Sequence, residues 1–295
     1  MKLAEIFALA LAAAGCGDSG PAAFDAAAPD LTVAADAAID LQAMCGPPST
    51  DAGVCLNTVS GKLVDDSGAG IPNLVTSVCA VACYFGMTDA TGAFSNPVYD
   101  VVEPDFYAFE AHGRPDRASF YVRLPPLVGM SATYAQPLLL PSLPMTGPLI
   151  ALDQSAQTLT SGDVTLTLAQ GTKVMLSVED VVLMDHGRQL RALTVSPPTK
   201  MAFVDPASPP DALFGFAPFE VAFSQKAQLS FRNIASIPAN AAVDVLEMGG
   251  LVGATPPAGN FAKVATAHVT ADGTSVVMDT GEGVTGLTWI ALRKQ

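Results

Sequence analysis

The chain has 295 residues, of which half are hydrophobic and 14% are charged, and its formal net charge is −14. Fourteen basic residues against 28 acidic ones exclude the basic surface that nucleic acids and anionic lipid headgroups require. We therefore expect no nucleic-acid partner and interpret the acidic balance as a source of solubility. The length suffices for two domains or for one large all-β unit.

Residues 1–15 are typical of a bacterial signal peptide, with a positive start and a nine-residue apolar run at 6–14. The letters AAGC at 13–16 resemble a bacterial lipobox, whose cysteine receives a diacylglyceryl group. The resemblance implies lipidation at Cys16, contact with a membrane through the N-terminal lipid, and a location in the cell envelope at the outer membrane. An ordinary signal peptide is the alternative, because the family prefers Leu or Val where Ala13 stands.

Residues 17–44 contain five aspartates, no basic residue and few large apolar side chains. A segment of this composition cannot bury enough apolar surface to offset the entropy of ordering it. We predict a disordered, Ala/Asp-rich tether that holds the folded part away from a membrane.

Four further cysteines follow at positions Cys45, Cys55, Cys79 and Cys83. An even number in an exported chain predicts two disulfides. Zinc is the alternative, but the spacings contain no paired C-x-x-C knuckles. Three pairings are open, and we favour Cys79–Cys83 with Cys45–Cys55. The first requires a hairpin loop at 80–82, because residues four apart on a straight strand are about 13 Å apart.

From residue 57 onward, short apolar runs alternate with turn residues. Period-two alternation predicts strands at 163–168, 227–231 and 262–269. Turn signals lie between such runs, at 66–68, 91–92, 272–273 and 281–283. No long amphipathic helix is predicted after residue 44. We therefore predict an all-β protein with two β-sandwich modules, at 45–125 and 126–295.

Residues 59–94 join four short motifs: GKLV at 61–64, an acidic Gly turn at 65–70, Ile-Pro-Asn, and TDATGAF at 88–94. This order resembles the carboxypeptidase regulatory-like domain, a transthyretin-like sandwich with a carbohydrate-binding-like fold. The resemblance covers about 55 residues and implies an accessory module without catalytic residues. Physically, Asp89 to Gly92 would close a hairpin before Phe94 enters the core.

The C-terminal part loosely resembles the closing hairpin of an immunoglobulin-like β-sandwich, on the residues VTADGTSVVMDTGEGVTGLTWIALR. It would place Trp289 in the core, although the cysteine pair of a true immunoglobulin domain is absent. In the aromatic stretch before it, Phe219, Val221 and Phe223 fit one buried strand face.

Residue patterns for catalysis and metal binding are weak. The three histidines, His112, His186 and His268, are widely separated and share no metal-ligand spacing. We expect His268 to be a paired or exposed strand residue and His186 to lie in a turn. Asp65 and Asp89 stand in Gly turns, whose chemistry accounts for them without calcium. We predict no catalytic residues, no metal and no cofactor.

These patterns together predict a lipid-anchored envelope protein that displays non-catalytic β-sandwich modules, for adhesion or for binding a glycan or an envelope protein. A secreted hydrolase with an unrecognised active site and a purely structural envelope component are the alternatives.

Overall fold

The structure is a computed structural model that describes residues 53–80, 82–251 and 256–295. The described residues are built almost wholly from strands, which confirms the all-β prediction. Strands β1 to β10 are Val54–Val64, Val75–Cys79, Cys83–Met87, Ala93–Val102, Ala108–Ala111, Phe120–Arg123, Leu127–Val128, Ser131–Thr133, Leu138–Leu139 and Gln157–Ser161. Strands β11 to β20 are Val164–Leu168, Val174–Met175, Arg191–Val195, Ala212–Ala217, Val221–Arg232, Ala242–Met248, Phe261–Val269, Ser275–Met278, Val284–Leu287 and Trp289–Lys294.

The helical content is small. Where the structure describes the chain, one α-helix, α1, spans Val178–Val182, and 3-10 turns follow at His186–Arg188 and Pro198–Lys200. No helix in the described ranges combines the length and apolarity needed to cross a membrane.

The first nine strands form two sheets. One has the order β4-β1-β8-β7, with β9 also paired to β1, and the other has the order β3-β2-β5-β6. Strand β1 is antiparallel to β4 but parallel to β8 and β9. Strands β7 to β9 come after residue 125, so strand pairing does not separate the chain at that position.

The remaining strands form one sheet that curls into a nearly closed barrel. Its order is β10-β11-β15-β18-β17-β16-β20-β14-β13, with β12 and β19 also paired to β15. Side chains link the first and last strands: the Ser161 hydroxyl accepts a hydrogen bond from the Ala192 N–H at 2.9 Å. Curling the sheet in this way leaves few unpaired strand edges.

The barrel interior is filled by alternate apolar residues of its strands, as the period-two pattern predicts. In β11 these are Val164, Leu166 and Leu168, all at most 1% exposed. Phe214 of β14 and Phe231 of β15 approach each other across the interior, with ring centroids 4.8 Å apart.

A second apolar cluster joins the barrel wall to the two smaller sheets, and Trp289 lies within it. The Trp289 indole is fully buried, as predicted, and its Nε1 donates to the carbonyl oxygen of Ser119 at 2.8 Å. Gly215 makes room for the ring, because a Cβ there would lie 2.7 Å from it. Complete burial of such a side chain contributes about 2–3 kcal/mol to stability.

The two acidic Gly turns form as predicted, each by the same local mechanism. The Asp65 carboxylate accepts from the N–H groups of Ser67 and Ala69, and the Asp89 carboxylate accepts from those of Thr91 and Ala93. In each turn one carboxylate oxygen, Oδ1, accepts these hydrogen bonds within the chain itself.

The connection through Asp89 is not a hairpin, which corrects one detail of the prediction. Strands β3 and β4 belong to different sheets, so the turn is an arch from one sheet to the other. Strand β4 pairs with β1 because this places Phe94 between the sheets, where its ring stacks on Phe109 at 4.4 Å.

Near the C-terminus, β17 and β18 form an antiparallel hairpin around the predicted turn at Asp272 and Gly273. Strands β19 and β20 do not pair with each other. Strand β19 lies on β15, and β20 lies between β14 and β16.

Candidate functional site

A row of polar residues crosses the sheet β3-β2-β5-β6. Ser77 of β2 lies directly opposite Glu110 of β5, and Glu110 lies opposite Tyr121 of β6. Partners that lie directly opposite share one face of a sheet, so the three side chains stand together. All three are at most 4% exposed. His112 follows Glu110 two positions later and joins the row from the end of β5.

Helix α1 brings two carboxylates against this row. Ser177 caps the helix, since its hydroxyl accepts from the Asp180 N–H at 3.2 Å. Glu179 and Asp180 in the first turn both face Arg114: the guanidinium contacts Glu179, and its Nε lies 3.1 Å from Asp180 Oδ1. Arg114 also donates to the carbonyl oxygen of Phe219 at 2.8 Å.

His112 connects the polar row on the sheet to helix α1. Its Nδ1 lies 3.0 Å from Glu179 Oε1, and its Nε2 lies 2.9 Å from Ser77 Oγ and 3.3 Å from Glu110 Oε2. We call Ser77, Glu110, His112, Arg114, Glu179 and Asp180 the polar cluster. It fastens α1 to β5 through hydrogen bonds and ion pairs.

Burial controls the protonation of the polar cluster. It raises the pKa of Glu110 and of Asp180 and lowers the pKa of His112, because a charged form loses its hydration. The positive charge of Arg114 opposes the rise in the pKa of both carboxyl groups. The environment therefore favours neutral Glu110 and His112.

Three of these groups have the spacing of metal ligands. One ligand atom each from Glu110, His112 and Glu179 lie within 4.8 Å of one another. Two features oppose a cation here: Arg114 already contacts the Glu179 carboxylate, and Ser77 occupies the His112 Nε2. We interpret the cluster as an ion-pair network that holds α1 in place.

A cavity of about 540 Å³ adjoins the polar cluster at one end of the barrel. We call it the carboxylate cavity, and its lining includes Met175, Ser177, Glu220, Glu247, Leu287 and Thr288. Ser177 thus belongs to the helix cap and to the cavity wall.

The two glutamates of this cavity have different environments. Glu220 has a left-handed backbone (φ 59°), and its Oε1 accepts from the Leu251 N–H at 2.7 Å. Within the described part of the chain, the Glu247 carboxylate has no hydrogen bond and no ion pair. Burial raises the pKa of Glu247 to about 8.

An apolar surface lies next to the cavity. Five side chains between positions 175 and 184 are each more than half exposed: Met175, Val178, Val181, Val182 and Met184. We call them the apolar segment. A soluble protein rarely exposes so many large apolar side chains in ten residues unless the surface has a partner.

No protein-family model matches this chain, and no curated protein matches it. The assignment of a function therefore depends on the geometry of the site.

The cysteines predicted to form disulfides fall in two groups. Cys79 and Cys83 lie opposite each other across the β2–β3 hairpin and form a disulfide with a Cα–Cα distance of 4.2 Å, which confirms this pairing. Cys55 lies in β1. Cys16 and Cys45 lie outside the described residues, so lipidation and the Cys45–Cys55 bridge stay predictions.

Two histidines behave as predicted. His268 is exposed on β17 with its Nδ1 2.7 Å from Asp279 Oδ1, and His186 opens a 3-10 turn. The aromatic stretch is buried as predicted, but not on one strand face. Val221 and Phe223 of β15 face the barrel interior, whereas Phe219 precedes the strand and packs in the second apolar cluster, because the left-handed backbone of Glu220 breaks the alternation between them.

The polar cluster was missed by sequence reasoning, which tested the histidines only for regular spacing. A local signal exists: Glu110 and His112 interrupt or end a strand that is otherwise apolar. Their partner Glu179 is more than 60 residues away and belongs to another element. Nothing in a single sequence connects the two.

Proposed function

We propose that this chain is an exported, lipid-anchored protein of the bacterial cell envelope whose folded β-unit binds a partner molecule without catalysing a reaction. Residues 1–15 act as the signal peptide, Cys16 carries the lipid at the outer membrane, and 17–44 act as the tether. The carboxypeptidase regulatory-like resemblance of 45–125 agrees with a display module.

The Cys79–Cys83 disulfide supports the proposed compartment. Disulfides persist in oxidising environments such as the bacterial periplasm and cell surface and are rare in the cytosol. The bridge joins the buried Cys79 of β2 to the exposed Cys83 of the edge strand β3.

The apolar segment is the observation that carries the binding function. Its valine and methionine side chains extend from the rim of the carboxylate cavity along α1. Aliphatic and thioether groups of this kind pack against protein side chains. Glycan sites usually rely on aromatic rings, and the cavity lining contains none among the described residues. We therefore favour an envelope protein over a glycan as the partner.

Labelling with radioactive palmitate in a bacterial host tests the anchor. We expect label in the wild-type chain and in the control Cys55→Ser, and none in Cys16→Ser. Equal labelling of wild type and Cys16→Ser would disprove lipidation at Cys16.

Substitution of the apolar segment tests binding. Chemical crosslinking of intact cells should capture a partner with the wild type. Val178→Asp combined with Val182→Asp should abolish the crosslink, whereas the control Val128→Asp, at another exposed valine, should leave it intact. A crosslink that survives the double substitution would exclude this surface.

A serine hydrolase is the second candidate, because Ser77, His112 and Glu179 stand in the order of a catalytic relay. The Ser77 hydroxyl is fully buried in the middle of β2, which leaves a substrate no approach to it. We therefore place this function second. A fluorophosphonate probe should fail to label the wild type; labelling that is lost in Ser77→Ala would establish the hydrolase instead.

A further inference from the structure

Among the described residues, the Glu247 carboxyl group has no hydrogen-bond or ion-pair partner. It belongs to β16, and its Oε1 would lie 3.4 Å from a Cβ added to Gly286, so one side of it rests against the backbone of β19. Its other side belongs to the wall of the carboxylate cavity. Burial keeps a carboxyl group of this kind protonated unless a positive charge lies beside it and stabilises the ionised form.

The rest of the cavity lining also favours a positive charge. Glu220 contributes a second carboxylate, and the described lining residues include no Lys, Arg or His. The hydroxyl of Thr288 donates to the Met248 carbonyl at 2.6 Å, which leaves its oxygen free to accept from a ligand. The net charge of −14 further attracts cations to this molecule.

The apolar part of the wall narrows the chemistry of that cation. Met175, Val264 and Leu287 line the same cavity, which suits an alkyl chain more than a hydrated metal ion. A quaternary ammonium group is usually held by aromatic rings, and the described lining has none. A primary ammonium group suits the site better, because its N–H groups can donate to a carboxylate and to a hydroxyl oxygen.

We propose that the carboxylate cavity binds a primary alkylammonium group, with Glu247 as its counter-charge. The group belongs either to a free amine or to a lysine side chain of the partner. This inference deepens the proposed binding function and rests on it: the apolar segment would contact the partner while the cavity receives its ammonium group.

Isothermal titration of the purified full-length mature chain tests the proposal. The probes are n-pentylamine, Nα-acetyl-lysine amide and the neutral analogue n-pentanol. We expect saturable binding of at least one amine and none of pentanol. If only n-pentylamine binds, the ligand is a free amine. If Nα-acetyl-lysine amide binds more tightly, the ligand is a lysine side chain of the partner.

Two variants and a control locate the binding. Glu247→Gln keeps the shape of the side chain and should weaken amine binding by about tenfold or more, as loss of a charge-assisted pair implies. Met175→Lys places a tethered ammonium at the cavity rim and should compete with the probe. Glu103→Gln removes the charge of an exposed glutamate elsewhere and should change nothing.

Three outcomes would overturn the assignment: no amine binds, pentanol binds as tightly as pentylamine, or Glu247→Gln binds amines as tightly as the wild type while both remain folded by circular dichroism. If one of these outcomes occurs while Cys16 is still labelled with palmitate and the crosslink still forms, then only the assignment of an alkylammonium ligand is wrong. If the crosslink instead forms equally well with the substituted apolar segment, the proposed binding function itself is wrong.

Discussion

The barrel interior and the polar cluster are both buried, yet they are built from opposite kinds of residue. The barrel interior is packed with apolar side chains such as Phe214, Phe231 and Ile290. The polar cluster buries Glu110 and Asp180 beside the cation of Arg114. The first arrangement follows directly from the hydrophobic effect, whereas the second requires every charge to be paired after losing its water.

The difference indicates where function should be sought in this fold. An apolar interior of this kind is sufficient to hold the barrel together, so polar groups are not needed there for stability. Burying the charged groups of the polar cluster costs free energy that their ion pairs offset, and arrangements of this kind are more often found near functional sites. The carboxylate cavity adjoins the polar cluster.

The largest effect should come from the apolar interior. Phe214→Ala removes a ring that packs on Phe231, and we expect it to lower the free energy of unfolding by about 3–5 kcal/mol at any pH. The control Phe85→Ala removes a ring that is 61% exposed and should cost less than about 1 kcal/mol. Urea denaturation at pH 5 and pH 8 measures both. Similar losses of unfolding free energy in the two variants would show that the apolar interior is not the main source of stability.

The polar cluster should respond less, and in a pH-dependent way. Arg114→Met leaves Glu179 and Asp180 without their cation, and we expect a loss of about 3 kcal/mol at pH 7. The loss should be smaller at pH 5 than at pH 7, because burial raises the pKa of Asp180 and a larger fraction of its carboxyl group is then protonated. The control Arg123→Met, at a 62% exposed side chain, should cost less than about 0.5 kcal/mol. A cost that is the same at both pH values would assign the role of Arg114 to packing.

Glu247→Gln should stabilise the protein, but only above the pH at which an unfolded glutamate ionises. Burial raises the pKa of Glu247 from 4.5 to about 8, so its contribution to stability is complete below pH 4.5 and is lost as the pH rises through 8. With allowance for partial exposure, the variant should gain on the order of 2 kcal/mol at pH 8 and nothing at pH 4. Thermal denaturation across this range measures the difference, and parallel stability curves would refute a buried, unpaired carboxyl group.

The smallest effect should come from the disulfide. Its removal by Cys79→Ala with Cys83→Ala opens a loop of only five residues, and we expect a cost of about 1–2 kcal/mol that does not vary with pH. Melting temperatures of the wild type and the double variant, both without reductant, measure it. No difference between them would mean that the hairpin holds its shape without the bridge.

The features that sequence reasoning predicted correctly depend on residues close together in the chain. The Asp65 and Asp89 turns are set within four positions, the alternation in β11 within five, and the Cys79–Cys83 bridge within one hairpin. Each is dictated by local backbone chemistry or by the two-residue period of a strand. The burial of Trp289 follows from the size of its apolar ring.

The features that were not predicted depend on long-range strand pairing. Ser77 and Glu110 meet because β2 lies beside β5, and Glu179 reaches His112 only because α1 packs on that sheet. The closing of the barrel and the change of sheet after β3 have the same origin. A single sequence does not reveal which strands become neighbours, so it does not reveal which distant carboxylates share a cavity.

The hydrogen bond from Trp289 to Ser119 joins residues 170 positions apart, and it also constrains the order of folding. The apolar cluster around the two smaller sheets lacks its largest ring, that of Trp289, until β20 has been synthesised. A chain that emerges from its N-terminus first has every strand of the two smaller sheets by Leu139, but the apolar cluster between them and the barrel stays open until β20 follows. Folds with such distant contacts form slowly and expose unpaired strand edges meanwhile. We expect the two smaller sheets to form first and to become stable only when β20 joins the fold.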